Sequence, residues 1–234
     1  MDPLLDEQIA YYRARAPEYD EWFLRLGRYD QGASLNSIWR AEIDEIRREV
    51  DRFKPRGRVL ELAAGTGIWT QHLAPTAGEL SVLDASSEAL AINRAKVRDE
   101  RVRYIEADLF SWEPDHTYDV VFFGFWLSHI PSERFDWFWS WASRALAPTG
   151  RVFFVDNLAP STSSTDHQLV DEPTTTRRLN DGQEFRIYKL WYRPPELRQR
   201  LEVLGWPADV SSTATYFIYG TASRPPEPSD VHER

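Results

Sequence analysis

The chain has no cysteine among its 234 residues. Disulfides, thiolate metal sites and thiolate nucleophiles are therefore excluded. It also lacks any apolar run of membrane-spanning length. The longest, around Val120 to Leu127, is interrupted by Gly124. The N-terminus, Met1-Asp2-Pro3, has neither a basic region nor an apolar stretch, so no signal peptide is expected and the default compartment is the cytoplasm. Positive charge is scarce as well. The net charge is −9, and short clusters such as Arg47-Arg48 and Arg177-Arg178 form no basic stripe. Such a surface repels a phosphate backbone, so nucleic acid is not an expected partner.

What is present suits one α/β domain with a sizeable core: 42% hydrophobic and 28% charged residues. Aromatic residues make up 14%, with ten Trp, more than a plain core needs. Some rings are expected to line a pocket for a flat or cationic ligand.

Periodicity divides the chain. Residues 6–26 read as helical through Ile9, Tyr12, Ala16, Tyr19 and Phe23, with Pro17 splitting them into two short helices. A longer helix is expected from Leu35 to Phe53. Strands then alternate with helices: strands at 58–62, 79–83, 102–106, 118–123 and 151–155, helices at 68–74, 86–97 and from Pro131-Ser132 to Leu146. Pro148-Thr149-Gly150 is expected to close that last helix. The rhythm predicts a parallel sheet covered on both faces. Residues 157–173 read as a loop. Asn180-Asp181-Gly182-Gln183 predicts a hairpin between 174–179 and 184–192. A helix from Pro194-Pro195 and strands at 209–213 and 216–222 follow. The tail from Arg224 is polar and Pro-rich and is expected to be disordered.

The chemistry gathers in Glu61-Leu62-Ala63-Ala64-Gly65-Thr66-Gly67, between the first strand and the next helix. Small residues there let the backbone turn tightly at the edge of the sheet where nucleotides bind. Asp84, ending the second strand, can accept both hydroxyls of a ribose. A dinucleotide site needs a third glycine, and Gly67 is followed by Ile68, Trp69 and Thr70. Glu61 would repel a pyrophosphate but favours a sulfonium or amino cation. A P-loop is excluded because no Gly-Lys-Ser/Thr follows.

These residues resemble the first motif of the class I S-adenosylmethionine (SAM)-dependent methyltransferase superfamily, E/D-x-G-x-G-x-G, with Ala63 in place of the first glycine. The resemblance covers about residues 55–155. It implies a doubly wound, mostly parallel seven-stranded sheet of Rossmann-like methyltransferase type, with an N-terminal helical lid and a β-hairpin insertion. One domain is expected over 1–223, with the lid at 1–54, the SAM-binding core at 55–157, the hairpin at 174–192 and the tail at 224–234. It further implies that Glu61 orients the methionine amino group, Asp84 holds the ribose, and Asp108 meets the adenine amino group beside the Leu109 N–H. Ala63, Gly65, Thr66, Gly67, Ala85 and Phe123 complete the expected donor surface. The segment Tyr11 to Asp20 looks like the N-terminal stretch that folds over SAM and acceptor in small-molecule enzymes, including bacterial ones likened to quinone-biosynthesis methyltransferases. The quinone substrate is not carried over.

The candidate catalytic residues are His129, just past the fourth strand, as a base, and Tyr12 and Tyr19, as rings near the sulfonium. Each has a structural alternative: a backbone-bonded His129, or tyrosines in the core. Asp156-Asn157 resembles the fifth-strand pair of metal-dependent catechol-type methyltransferases. Those enzymes also need an acid where this chain has Phe122-Phe123-Gly124, so no metal is expected. The fourth strand also lacks the Asp/Asn-Pro-Pro-Tyr/Phe sequence of enzymes that methylate base amino groups. The hairpin carries Arg177, Arg178, Arg186 and Lys189, which suit an acidic substrate. A solvated edge or a homodimer contact is the alternative. The expected function is methyl transfer from SAM to O, N or C of a small molecule by in-line displacement. The rival readings are a nicotinamide-dependent oxidoreductase and a non-catalytic SAM-binding protein.

Overall fold

A computed structural model describes residues 2–158 and 173–226. Among these, seven strands form one sheet: β1 (Arg58–Leu62), β2 (Glu79–Asp84), β3 (Val102–Glu106), β4 (Tyr118–Gly124), β5 (Leu146–Asn157), β8 (Ala208–Ser212) and β9 (Phe217–Ser223). Their order is β3-β2-β1-β4-β5-β9-β8. The first five run parallel, and β9 returns antiparallel to both β5 and β8. A separate antiparallel pair, β6 (Thr174–Arg178) and β7 (Glu184–Tyr188), is the expected hairpin. Beyond residue 158 the expected loop, and beyond residue 226 the expected tail, lie outside the described residues.

The apolar runs of β1 and β4 are buried on both faces, as parallel strands between two helical layers must be. On one face α3 (Ala33–Phe53) lays down Trp39, Ile43, Ile46, Val50 and Phe53. On the other, α6 (Phe135–Ala145) buries Phe135, Phe138, Trp139, Trp141, Ala142 and Ala145. Helix α7 (Pro194–Val203) adds Leu197 and Leu201 to that second layer. Trp39, Trp139, Trp141 and Trp206 are all fully buried. The aromatic surplus therefore belongs mainly to the core, each buried ring contributing about 1.5–3 kcal/mol. Trp22, Trp126 and Trp191 reach the cavities at the sheet's carboxyl edge.

The N-terminal segment breaks at Pro17 as expected. It forms α1 (Pro3–Arg15), a 3-10 turn at Ala16–Glu18 and α2 (Tyr19–Leu24). Asp2 caps α1 through the Leu4 N–H.

Three local expectations are corrected. The helix expected at 68–74 is one turn, α4 (Thr70–Leu73), because left-handed residues at Gly65 and Gly67 keep the chain in a tight turn up to Trp69. Pro148-Thr149-Gly150 is no helix stop. It bulges out within β5, between Leu146, paired with Tyr118, and Arg151, paired with Val120. The second hairpin strand ends at Tyr188 rather than Tyr192. The Lys189 N–H still bonds the Pro173 carbonyl, but the Leu190 N–H bonds the Ser128 carbonyl, which pulls residues 190–192 off the hairpin toward the loop after β4.

Candidate active site

The sheet's carboxyl edge opens into two adjoining cavities, of about 880 and 600 Å³. The first is walled by the ends of β1, β2 and β3: Ala63, Gly65, Thr66, Asp84, Ala85, Asp108 and Leu109. Its roof is Leu5, Ile9, Tyr12, Ala16 and Tyr19 of the N-terminal segment, with Phe125, Trp126 and His129 from the loop after β4.

Asp84 is fixed by two backbone donors, the Gly65 N–H and the Ser86 N–H, each at 2.8 Å. Burial nevertheless raises its pKa. Both oxygens keep further acceptor capacity toward the cavity, which suits a diol. Ala63, where the motif has its first glycine, sits at φ +49°. That left-handed geometry explains why glycine is at home there. Gly67 has φ +89°, and a Cβ there would stand 2.7 Å from Asn93 Oδ1. Asp108 accepts the Phe110 N–H at 3.0 Å, which turns the chain after β3 along the cavity wall.

Glu61, Gly67 and Phe123 stand back from this wall. Glu61 is buried and accepts from Thr70 Oγ1 at 2.7 Å. Burial pushes its pKa up to about 8, the Thr70 hydroxyl opposes the rise, and Asp84 adds to it. Phe123 departs from the expected donor surface. It packs between Phe138, Trp139 and Phe154 on the α6 side. Strand alternation turns residue 123 away, and Gly124 and Phe125 line the cavity instead. Phe125 is the residue sequence reasoning missed. It holds φ +58°, which is costly for a bulky side chain, and its ring meets Trp22 edge-on at 4.9 Å. Its only signal in the sequence is its place one residue beyond β4.

Tyr12, Tyr19, Phe125 and His129 line both cavities and form the partition between them. His129 Nδ1 lies 2.7 Å from the Tyr188 carbonyl oxygen, which can only accept, so Nδ1 carries the proton. Nε2 then accepts the Tyr12 hydroxyl at 2.8 Å. Burial, helped by Lys189, drives the His129 pKa down to about 3, so the ring stays neutral. Burial also raises the Tyr12 and Tyr19 hydroxyl pKa values.

The second cavity joins the partition to Arg15, Asn157, Arg177, Arg178, Lys189 and Trp191. Among the described residues that line it, four side chains are basic and none is a carboxylate. Just behind it, Asp156 accepts from the Ser128 N–H at 2.9 Å, the Ser128 hydroxyl at 2.8 Å and the Lys189 ammonium at 3.3 Å.

A cavity at the carboxyl edge of a doubly wound sheet, with a carboxylate ending the second strand and a second cavity beside it, is the arrangement of enzymes that bind a nucleoside-containing cofactor. Comparison with known proteins gives the family. A methyltransferase-domain family model matches residues 59–150. A solved DhpI–SAH complex is 39% identical, covers 96% of this chain and 98% of its own, and superposes with a TM-score of 0.77. A DhpI–SAM–HEP complex is 36% identical over 95% of this chain and 98% of its own, again at 0.77. A SAM-dependent methyltransferase from Clostridium acetobutylicum shares the fold at 17% identity and a TM-score of 0.62, over 89% of this chain and 98% of its own. No curated protein sequence matches. The chain belongs to the SAM-dependent methyltransferases, and its donor is S-adenosylmethionine.

Proposed function

We propose that the chain transfers the SAM methyl group to an oxygen of a small acidic acceptor seated in the second cavity. The observation that carries this reading is the shared wall: Tyr12, Tyr19, Phe125 and His129 face both cavities. A donor in the first cavity and an acceptor in the second would meet there. The complex of DhpI with SAM and HEP, which names a second ligand beside the donor, supports such an arrangement.

In this reading Asp84 holds the ribose, Asp108 and Leu109 bound the adenine, and Glu61 supports the motif loop from behind through Thr70. SAM supplies an electrophilic methyl on a sulfonium. The acceptor oxygen bonds to the methyl carbon as the carbon–sulfur bond breaks, its electron pair staying on sulfur. Alignment by the two cavities accounts for most of the rate, since proximity can supply about 7–11 kcal/mol. The tyrosine faces of the partition favour the cationic donor.

The acceptor's charge is argued from the lining. Arg15, Arg177, Arg178 and Lys189 face the cavity in a chain of net charge −9. Arg178 is paired with Glu184 and Lys189 with Asp156, so Arg15, which bonds the Tyr29 hydroxyl, carries most of this argument. Its atom is argued from the base. With a pKa of about 3, His129 is a weak proton acceptor, and its lone pair already takes the Tyr12 hydroxyl. An ionised oxygen has no proton to lose, so it needs no base. His129 then holds Tyr12 in place.

The test is a panel of small carboxylates, sulfonates, phosphorus oxyanions, phenols and amines, each incubated with the protein and methyl-labelled SAM. Label should enter acids, as esters released by mild base. Label entering only amines or neutral phenols would overturn the acidic acceptor. Tight SAH binding with no transfer to any compound, or to a metabolite extract, would favour a non-catalytic SAM-binding protein.

A further inference from the structure

The second cavity contains an unusual set of polar atoms. Three N–H donors of its lining, Arg15 Nε, Asn157 Nδ2 and Trp191 Nε1, are buried with no hydrogen-bond partner among the described residues. All three are donors. A buried donor left without an acceptor keeps its full desolvation penalty, so three in one cavity mark a place completed by a ligand that only accepts.

Asn157 is the informative member, because its amide has two orientations. It is 7% exposed. Its Oδ1 lies 3.2 Å from the Lys189 ammonium. That ammonium, itself buried, has three protons and three oxygens around it: Ser128 Oγ at 2.7 Å, Asp156 Oδ1 at 3.3 Å and Asn157 Oδ1. Turning the amide over would set its N–H groups against the ammonium and remove one of those acceptors. Lys189 therefore fixes Asn157 with the oxygen inward, and the donor Nδ2 is the end left without a protein partner. The charge of Lys189 is in turn balanced by Asp156, which the Ser128 and Asn157 backbone N–H groups hold at 2.9 and 2.7 Å.

We propose that Lys189 is a positioning residue for acceptor recognition. Pinned on Asp156, it locks the Asn157 amide so that Nδ2, with Arg15 Nε and Trp191 Nε1, presents a donor-only cradle to an oxyanion of the acceptor. This rests on the acidic-acceptor reading above and assigns its recognition to particular atoms. Lys189 spends its own protons on the protein and acts through Asn157.

The test uses the full-length chain saturated with SAH, with acetate and inorganic phosphate as probes of planar and tetrahedral oxyanions. In the wild type, the side-chain amide signals of Asn157, identified by their loss in Asn157→Asp, should shift on titration with at least one probe. Asn157→Asp puts a carboxylate where the donor was and should weaken probe binding by about tenfold or more. Lys189→Met leaves Asp156 unbalanced and can fail to fold, so the double variant Lys189→Met/Asp156→Asn carries the argument. It should bind SAH as the wild type does, lose probe affinity to a similar degree, and show altered Asn157 amide signals before any probe is added. Lys189→Arg should restore part of the affinity.

A purely structural Lys189 would lower SAH and probe affinity together, or neither, and either result overturns the proposal. It is also overturned if the wild-type SAH complex binds neither probe, or if probe binding leaves the Asn157 amide unmoved. Failure of the wild type to bind SAH at all would instead strike the methyltransferase reading.

Discussion

Asp84 holds a turn together and is also the residue proposed to bind the ribose. Its two oxygens take the Gly65 and Ser86 N–H groups, which fixes the loops after β1 and β2 against each other. Its remaining lone pairs face the donor cavity. Asp84→Ala removes charge-assisted hydrogen bonds to the donor and should weaken SAH binding by about 1.5–3 kcal/mol, roughly tenfold to a hundredfold. Calorimetry giving equal affinities would remove the ribose assignment. Asp84→Asn keeps the shape but adds a donor, and should fall between the two. This residue was legible in the sequence because a strand end followed by capping serines fixes its place. Phe125 was not legible. Its part depends on a left-handed backbone one residue past β4, and a run of apolar letters gives no sign of where the strand stops. The same run made Phe123 look like donor surface, because in a strand buried on both faces the sequence pattern does not say which side chain points which way.

At the scale of elements, the N-terminal segment and the hairpin act as one cover. Helix α1 buries Leu5, Gln8, Tyr11 and Arg15, a stripe too polar for a plain core face. The polar members are used. Gln8 Nε2 reaches the His129 carbonyl and its Oε1 takes the Tyr188 N–H, while Glu7 takes the Arg186 N–H. Asp20, at the start of α2, ties this cover to the donor loop, accepting from Thr66 Oγ1 at 2.5 Å and from Lys96 at 2.6 Å. Short helices held by such ties are marginal alone, which suits a segment that opens for the donor and closes over it. Amide exchange in residues 3–20 should therefore slow when SAH binds. Asp20→Ala should speed that exchange in the apo protein and raise the KM for SAM with a smaller change in kcat. Exchange indifferent to both SAH and Asp20 would make this segment ordinary packing. Trp22 and Phe23, just beyond this segment, join the main core, so removing residues 1–25 would also open that core. The sequence foretold the break at Pro17 and the hairpin turn. It did not foretell that residues 190–192 leave the hairpin, because that follows from a bond to the Ser128 carbonyl far away in the chain.

For the molecule as a whole, the site leaves a signature in stability against pH. Folding lowers the His129 pKa from 6.5 to about 3. Between those values the unfolded chain holds a proton that the folded chain does not, so stability rises with pH across that window. Glu61 works the other way. Its pKa rises from 4.5 to about 8 on folding, the folded state holds the extra proton, and stability falls with pH between those values. The two slopes cancel from about pH 4.5 to 6.5. Of the two, only His129 acts below that window, where acid destabilises together with Asp2, Asp30, Glu88, Asp99 and Asp115, whose pKa values folding lowers. Above it Glu61 acts and alkali destabilises. Asp84, also raised by burial, works in the same direction as Glu61. The apo protein should thus have its highest Tm in the plateau and lose stability from pH 6.5 to 8. Glu61→Gln should flatten that alkaline limb and keep the acid one. His129→Gln should do the reverse, weakening the acid limb alone. Melts at constant ionic strength decide the matter. A wild-type Tm that is level from pH 6.5 to 8, or an alkaline limb unchanged in Glu61→Gln, would mean that the buried carboxylate behind the donor loop is already ionised when the cavity is empty. The site would then hold an unbalanced negative charge in wait for a cationic donor, and SAM would bind without taking up or releasing a proton at Glu61.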